Sequence, residues 1–170
     1  MSAPQRILIV YAGRRGTTER AAHLLASCFE NASVRDLTKT DASPERYDAV
    51  IAGSAVYRGV IEPSVRSFLI RYENTLGTRP LGLFLCHAFA DEAPDIFREN
   101  FPAALLSSCV TYDSFGGSFE LDSLGFRDRR WMNKHLKERD RIRGSENLLS
   151  GLSESSIRIF AERFRNLTEI

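Results

Sequence analysis

The stretch Ile7-Leu8-Ile9-Val10-Tyr11, running into Ala12-Gly13-Arg14-Arg15-Gly16-Thr17-Thr18, constrains this chain more than any other. An unbroken apolar run of this length reads as a strand buried on both faces. The turn behind it holds two glycines, two arginines and two threonines, and a helix starts at once. Strand, Gly-containing turn and helix N-terminus form a natural anion site. The first N–H groups of the helix are unpaired and its dipole favours negative charge there. Arg14 and Arg15 add charge, and Thr17 and Thr18 add hydroxyl donors. No Lys follows Gly16, which disfavours a P-loop nucleotide hydrolase. Gly-x-Gly-x-x-Gly is absent too, which disfavours a dinucleotide turn. The competing reading is an ordinary βα turn whose glycines only permit tight geometry.

The remaining strands have the same character. Tyr47–Gly53 and Leu81–His87 are apolar runs, Ser33–Leu37 is a shorter polar strand, and Leu105–Tyr112 contains the last one. Between them lie helical patterns. Ala21, Leu24, Leu25, Cys28 and Phe29 recur at helical spacing over Thr18 to Glu30, while His23 falls off that stripe and reads as a surface residue. Val65, Phe68, Leu69 and Tyr72 follow Pro63, and a helical stretch covers Pro94 to Asn100. Ile157, Phe160, Ala161, Phe164 and Leu167 mark a closing helix. Alternating strands and helices with doubly buried strands predict an α/β fold: a doubly wound five-stranded parallel sheet in the order 2-1-3-4-5. The segment from Ser118 to Gly144 fits no βα unit and reads as an irregular insert after the last strand. The 170 residues carry no repeat or linker and fit one domain, residues 1–170.

Composition narrows the function classes. A net charge of +1 steers the whole protein toward neither nucleic acid nor acidic partners. Three widely spaced cysteines, Cys28, Cys86 and Cys109, form neither a disulfide framework nor a zinc pattern and suit a reducing compartment. Neither a signal-peptide core nor a membrane-length apolar run occurs, so a cytoplasmic location is expected. No Ser-His-Asp or metal constellation stands out, so no catalytic side chain and no metal is assigned.

In a doubly wound sheet the ligand lies beyond the carboxyl ends of the strands. Three loops meet there: Ala12–Thr18, Ser54-Ala55-Val56-Tyr57-Arg58-Gly59, and Cys86-His87-Ala88-Phe89 through Asp91. The first suits a phosphate. The other two each bring an aromatic, Tyr57 and Phe89, that can lie on a flat ring. His87 and Cys86 stand at the third strand's tip, where a strand-end His is commonly structural and a free Cys commonly a small hydrophobe. Together the loops suit a mononucleotide with a planar base.

On these residues the chain resembles the flavodoxin-like family. Gly16-Thr17-Thr18 matches the end of that family's phosphate loop, and Tyr57 lies in a loop that commonly lends an aromatic to the flavin. The form Arg14-Arg15-Gly16-Thr17-Thr18, the loop Gly53-Ser54-Ala55-Val56-Tyr57-Arg58-Gly59 and the insert are most similar to the branch containing menaquinone-dependent protoporphyrinogen oxidases. The resemblance implies FMN as cofactor and Gly13, Arg14, Arg15, Gly16, Thr17, Thr18, Ser54, Ala55, Val56, Tyr57, Arg58, Gly59, His87, Ala88 and Phe89 as its binding residues. It further implies electron flow from a porphyrinogen-like donor through flavin to a quinone, the redox chemistry being the flavin's own. Gly13 departs from the family's Ser or Thr, which removes one phosphate hydroxyl, and a neighbouring guanidinium can take its place.

The insert is strongly basic. Phe126 to Arg143 holds eight Arg or Lys against three Asp or Glu, which leaves the rest of the chain at −4. With Trp131, Met132 and Leu136 interleaved, such a segment suits an anionic membrane surface or an apolar substrate with carboxylates. Arg127, Arg130, Trp131 and Lys134 are the candidate contacts, with a solvated segment pinned to the domain as the alternative. Peripheral contact with the inner face of a membrane, and a quinone or redox-protein partner, follow as expectations; nucleic acid does not. Two rival functions stay in view: an electron carrier without its own substrate, and a binding or regulatory module that has lost flavin.

Overall fold

The computed structural model describes residues 5–117, 124–143 and 151–168. The N-terminal residues 1–4 and the insert positions 118–123 and 144 lie outside them.

Chain order is β1 (Ile7–Ala12), α1 (Thr17–Ala26), β2 (Ala32–Asp36), β3 (Ala49–Tyr57), β4 (Val60–Ile61), α2 (Pro63–Arg71), α3 (Glu73–Leu76) and β5 (Leu81–Cys86). A 3-10 turn (Ala90–Glu92), α4 (Ala93–Asn100), α5 (Ala103–Ser108), β6 (Thr111–Ser114), α6 (Phe126–Arg143) and α7 (Glu154–Thr168) follow. The main sheet runs β2-β1-β3-β5-β6, all parallel, with Ile9 opposite Val34 on one side and Ile51 on the other. This is the expected 2-1-3-4-5 order once the two-residue β4 is set aside.

Alternation along the strands splits the core in two. Leu8, Val10, Val50, Ala52, Leu83 and Leu85 face α2 and α4 through Val65, Leu69, Ile96 and Phe97. Ile7, Ile9, Ala49, Ile51 and Phe84 face α1 and α7 through Ala22, Leu25, Ile157, Phe160 and Phe164. Both faces being covered is why these strands read as unbroken apolar runs.

Four expectations need correction. β3 does not stop at Gly53 but continues to Tyr57, because β4 folds back on it, pairing Val56 with Ile61 and Tyr57 with Val60. Within the span Leu105–Tyr112, expected to contain the last strand, residues 105–108 belong to α5, where Pro102 caps a run of good helix formers, and β6 begins only at Thr111. Leu167 is 66% exposed and does not join the packed face of α7. The insert is not irregular where described: α6 is an 18-residue helix. Its apolar periodicity is weak because the side facing the domain is built from Asp128, Trp131, His135 and Arg139. Among the described residues no helix is long and apolar enough to cross a membrane.

Candidate functional site

A cavity of about 320 Å³ opens at the carboxyl ends of β1, β3 and β5, within the size range of small-ligand sites. Its floor comes from the three predicted loops, and its roof from α6. Arg14, Arg15, Thr17 and Thr18, then Ala55, Val56, Tyr57, Arg58 and Gly59, then His87, Ala88 and Phe89 all line it. Gly13, Gly16 and Ser54 are not among the lining residues.

Those three shape the site from behind. Gly16 caps α1 with φ 85° and without a side-chain hydrogen bond, so the first N–H groups of the helix face the turn. Gly13 makes room: a Cβ there would lie 2.7 Å from Thr18 Oγ1. Thr18 itself is buried and hydrogen-bonds toward Cys86, so its hydroxyl is partly committed inward. Ser54 is fully buried, donating to Ala55 O at 2.7 Å and accepting from the Glu62 N–H at 2.9 Å.

The two arginines of the turn have different duties. Arg14 Nε donates to Glu62 Oε1 at 2.8 Å, and its guanidinium lies 4.4 Å from the Tyr57 ring centroid. Arg15 has no ion pair among the described residues and lines the cavity. Arg58 occupies an L-residue's uncommon left-handed conformation, φ 51°, followed by Gly59 at 79°. Two positive-φ residues between the paired Tyr57 and Val60 make a tight hairpin turn of the type that favours Asn-Gly. Buried Asn100 fixes the tip from below, donating to Gly59 O at 2.9 Å and accepting from the Ile61 N–H at 3.2 Å.

α6 is fastened over the cavity at two places. Near its start, Asp128 Oδ1 accepts from the Tyr57 hydroxyl and from Arg58 at 2.9 Å. The Tyr57 bond holds the Asp128 carboxyl below its ordinary range, with Arg58 adding to it, and the same bond raises the Tyr57 phenol. Near its end, Glu92 accepts from His87 at 2.9 Å, His135 at 3.0 Å and Arg139. Burial alone would raise the Glu92 carboxyl; the bonds from His87 and Arg139 and the nearby His135 override it and hold it at about 2. Arg139 also reaches Asp91 at 3.1 Å and lies 4.0 Å from the Phe89 ring centroid. Between the fastenings, Trp131 and Met132 line the cavity, with Trp131 stacked on His135 at 4.9 Å. Arg127, Arg130 and Lys134 are exposed and do not line it.

Sequence reasoning passed over Glu62, Glu92, Asp128 and His135 and read Met132 only as part of an apolar side of the insert; all five line the cavity. A signal existed for the last three: Asp128, Trp131, Met132 and His135 share a helical face by i, i+3, i+4 spacing. Cys86 lines the cavity too, but burial pushes its thiol up to about 12, with the Thr18 bond working the other way, so it stays neutral. Among the described residues no group of His, Cys, Asp and Glu could hold a metal ion.

The topology and the cationic, uncapped helix start define the class: a doubly wound α/β protein with a phosphate-compatible site at its strand tips. The chain belongs to the flavodoxin domain family, whose model matches residues 8–143. Family membership and the donor set together support FMN binding. The residues fit that group: Arg15, Thr17 and the α1 N-terminus supply donors, and aromatic rings line the same cavity. Solved structures agree on the fold. A short-chain flavodoxin associated with a non-canonical PDU bacterial microcompartment superposes with TM-score 0.59 at 13% identity, over 96% of this chain and 99% of that one. A flavoprotein from Lactobacillus acidophilus, solved with FMN, gives 0.51 at 13%, over 65% and 93%. Rubredoxin:oxygen oxidoreductase from Desulfovibrio gigas gives 0.50 at 16% over 96% of this chain, which spans only 36% of its length. No curated protein matches the chain.

Proposed function

We propose that this chain is an FMN-dependent oxidoreductase that passes electrons from a porphyrinogen-like organic donor through flavin to a quinone. The observation that carries the reading is the α6 roof, which adds Trp131, Met132 and His135 to the strand-tip cavity. A carrier that exchanges electrons with redox proteins needs an open flavin edge; a covered cavity with an aromatic wall suits a small apolar reactant instead. Arg15, Thr17 and the first N–H groups of α1 would hold the phosphate, and Ala55–Gly59 with His87–Phe89 would hold the ring. Bound FMN supplies the electron-transfer chemistry. The chain's own residues orient the ring, exclude water under α6 and place His87 and His135, both tied to Glu92, beside the reactant.

The outward side of α6 supports a location for this exchange. Arg127, Arg129, Arg130, Lys134 and Lys137 are exposed there, and Phe126 is 81% exposed at the helix start. Such a face suits contact with an anionic bilayer surface, in which quinones dissolve.

The test is an FMN titration followed by anaerobic assay with a porphyrinogen and a menaquinone analogue. Tight FMN binding with quinone-dependent porphyrinogen oxidation is the expected result. A protein that stays colourless with FMN overturns the whole reading in favour of a binding module. Ready reduction by a flavodoxin reductase without quinone turnover leaves the electron carrier.

A further inference from the structure

The aromatic rings that a flavin would use are already in contact with a side chain of this protein. Arg58 lies over the Tyr57 ring at 5.3 Å and over the Trp131 ring at 5.9 Å from the centroids, and all three line one cavity. A planar ligand stacking on either ring from the cavity competes with that guanidinium. Arg14 also covers Tyr57, but it is anchored to Glu62, whose side chain is only 8% exposed. Arg58 is held more lightly, by an Asp128 whose side chain is 27% exposed and which belongs to the insert helix.

Its backbone points the same way. Arg58 sits where a tight hairpin favours Asn or Gly, in a left-handed conformation that residues bearing a β-carbon rarely adopt. Asn100 fixes Gly59 and Ile61 on the other side of the turn, so the tip has little freedom. What can move is the side chain. A strained residue with a long planar cation at a cavity mouth is a functional sign, because the turn itself favours Asn or Gly and the tie from Arg58 to Asp128 is shared with the Tyr57 hydroxyl.

We infer that Arg58 is a displaceable occupant of the ring site: it covers Tyr57 and Trp131 and swings out when a planar ring enters. Its contacts to the rings are lost on binding, so it sets the site's selectivity against weakly stacking rings. This inference rests on the flavin reading above and adds to it a residue that opposes the ligand.

Trp131 is the sole tryptophan of the chain, so its fluorescence reports the site without ambiguity. Riboflavin, which has the ring and lacks the phosphate, is titrated beside FMN against the native protein, Arg58→Asn and Asp128→Asn. Asn suits the turn, so R58N removes the cation without straining the backbone. R58N is expected to bind riboflavin about 3- to 10-fold tighter than the native protein, the worth of a cation–π contact at a half-exposed site. D128N loosens Tyr57 and the start of α6 together with Arg58 and so controls for loss of the roof contact; R58N is expected to bind riboflavin tighter than D128N does. In the unliganded protein, acrylamide quenches Trp131 more strongly in R58N. Unchanged or weaker riboflavin binding in R58N, with FMN binding intact, overturns this inference alone and makes Arg58 a holder or a bystander. Binding of neither flavin by any of the three proteins overturns the flavin reading and this one with it.

Discussion

Arg14 and Glu62 form a 2.8 Å ion pair in which the carboxylate is 8% exposed and the guanidinium side chain 55% exposed. The pair spans the phosphate turn and the start of α2, and it decides how the two neighbouring arginines divide their work. Arg14 neutralises a buried carboxylate and covers Tyr57. Arg15, beside it in sequence, faces the cavity without an ion pair among the described residues.

Arg15→Ala is therefore expected to weaken FMN about 10- to 100-fold, the worth of one charge-assisted bond to phosphate, while changing riboflavin affinity little. Parallel titrations of the two flavins check this. Equal losses for both would place Arg15 on the ring.

Arg14→Ala should act on the fold first. It leaves the Glu62 carboxylate nearly buried and without its cation, so urea unfolding should show a loss of about 1–3 kcal/mol. Glu62→Gln in the same background relieves the unpaired charge and should restore part of that loss. No recovery would mean that the partner of Arg14 is not what stabilises the turn.

Gly13 and Thr18 offer a separate check on the floor of the site. Gly13→Ala brings a Cβ to 2.7 Å from Thr18 Oγ1 and 2.9 Å from Thr18 Cβ. A packing clash of this kind costs about 1–3 kcal/mol. Thr18→Ala in the same chain removes the clash with Oγ1 and leaves the one with Cβ, so it should recover only part of the loss, and the two changes are non-additive in thermal unfolding.

The sheet and the three loops were legible in the sequence because their cause is local. Buried parallel strands need continuous apolar residues, and the site follows from the ends of those strands. Gly13 illustrates a limit of that reading. It looks like a missing phosphate ligand in sequence, whereas its place is dictated by the Thr18 side chain one turn on. The role of α6 was hidden for a related reason. A helix that docks through Asp128, His135 and Arg139 buries charge against charge, and hydrophobic periodicity carries no signal for that. The partners of these residues, Tyr57, Arg58 and Glu92, lie 43 to 71 positions away, where only the fold can bring them together.

Cys86 gives a chemical contrast to its position. It stands at the tip of β5 beside the cavity, yet its thiol is held neutral by burial, up to about 12. In the native protein near pH 7 it should resist iodoacetamide and react only on unfolding, read by mass spectrometry of the alkylated peptides. Fast native-state modification would show that the β5 tip opens to solvent.

The Glu92 hub makes the seating of α6 sensitive to acid. Its carboxyl titrates at about 2 in the folded protein and near 4.5 when free, so the folded state binds this proton less readily than the unfolded one. The stabilising contribution is complete above about pH 4.5 and is lost as the pH falls toward 2. The groups facing the carboxylate are His87 from β5's tip, His135 and Arg139 from α6, and Asp91 beside it on Arg139. Protonating Glu92 removes the acceptor for both α6 residues, so the helix end should lift before the sheet unfolds. Hydrogen exchange over residues 131–142 across pH 3 to 7, compared with the β1 and β5 amides, reads this directly. Exchange in α6 should accelerate below about pH 4.5 while the strands stay protected, and Glu92→Gln should show fast α6 exchange already at pH 7 with a flattened pH dependence. An α6 that exchanges in step with the strands at every pH would mean that it is seated by its other contacts and that Glu92 is not its latch.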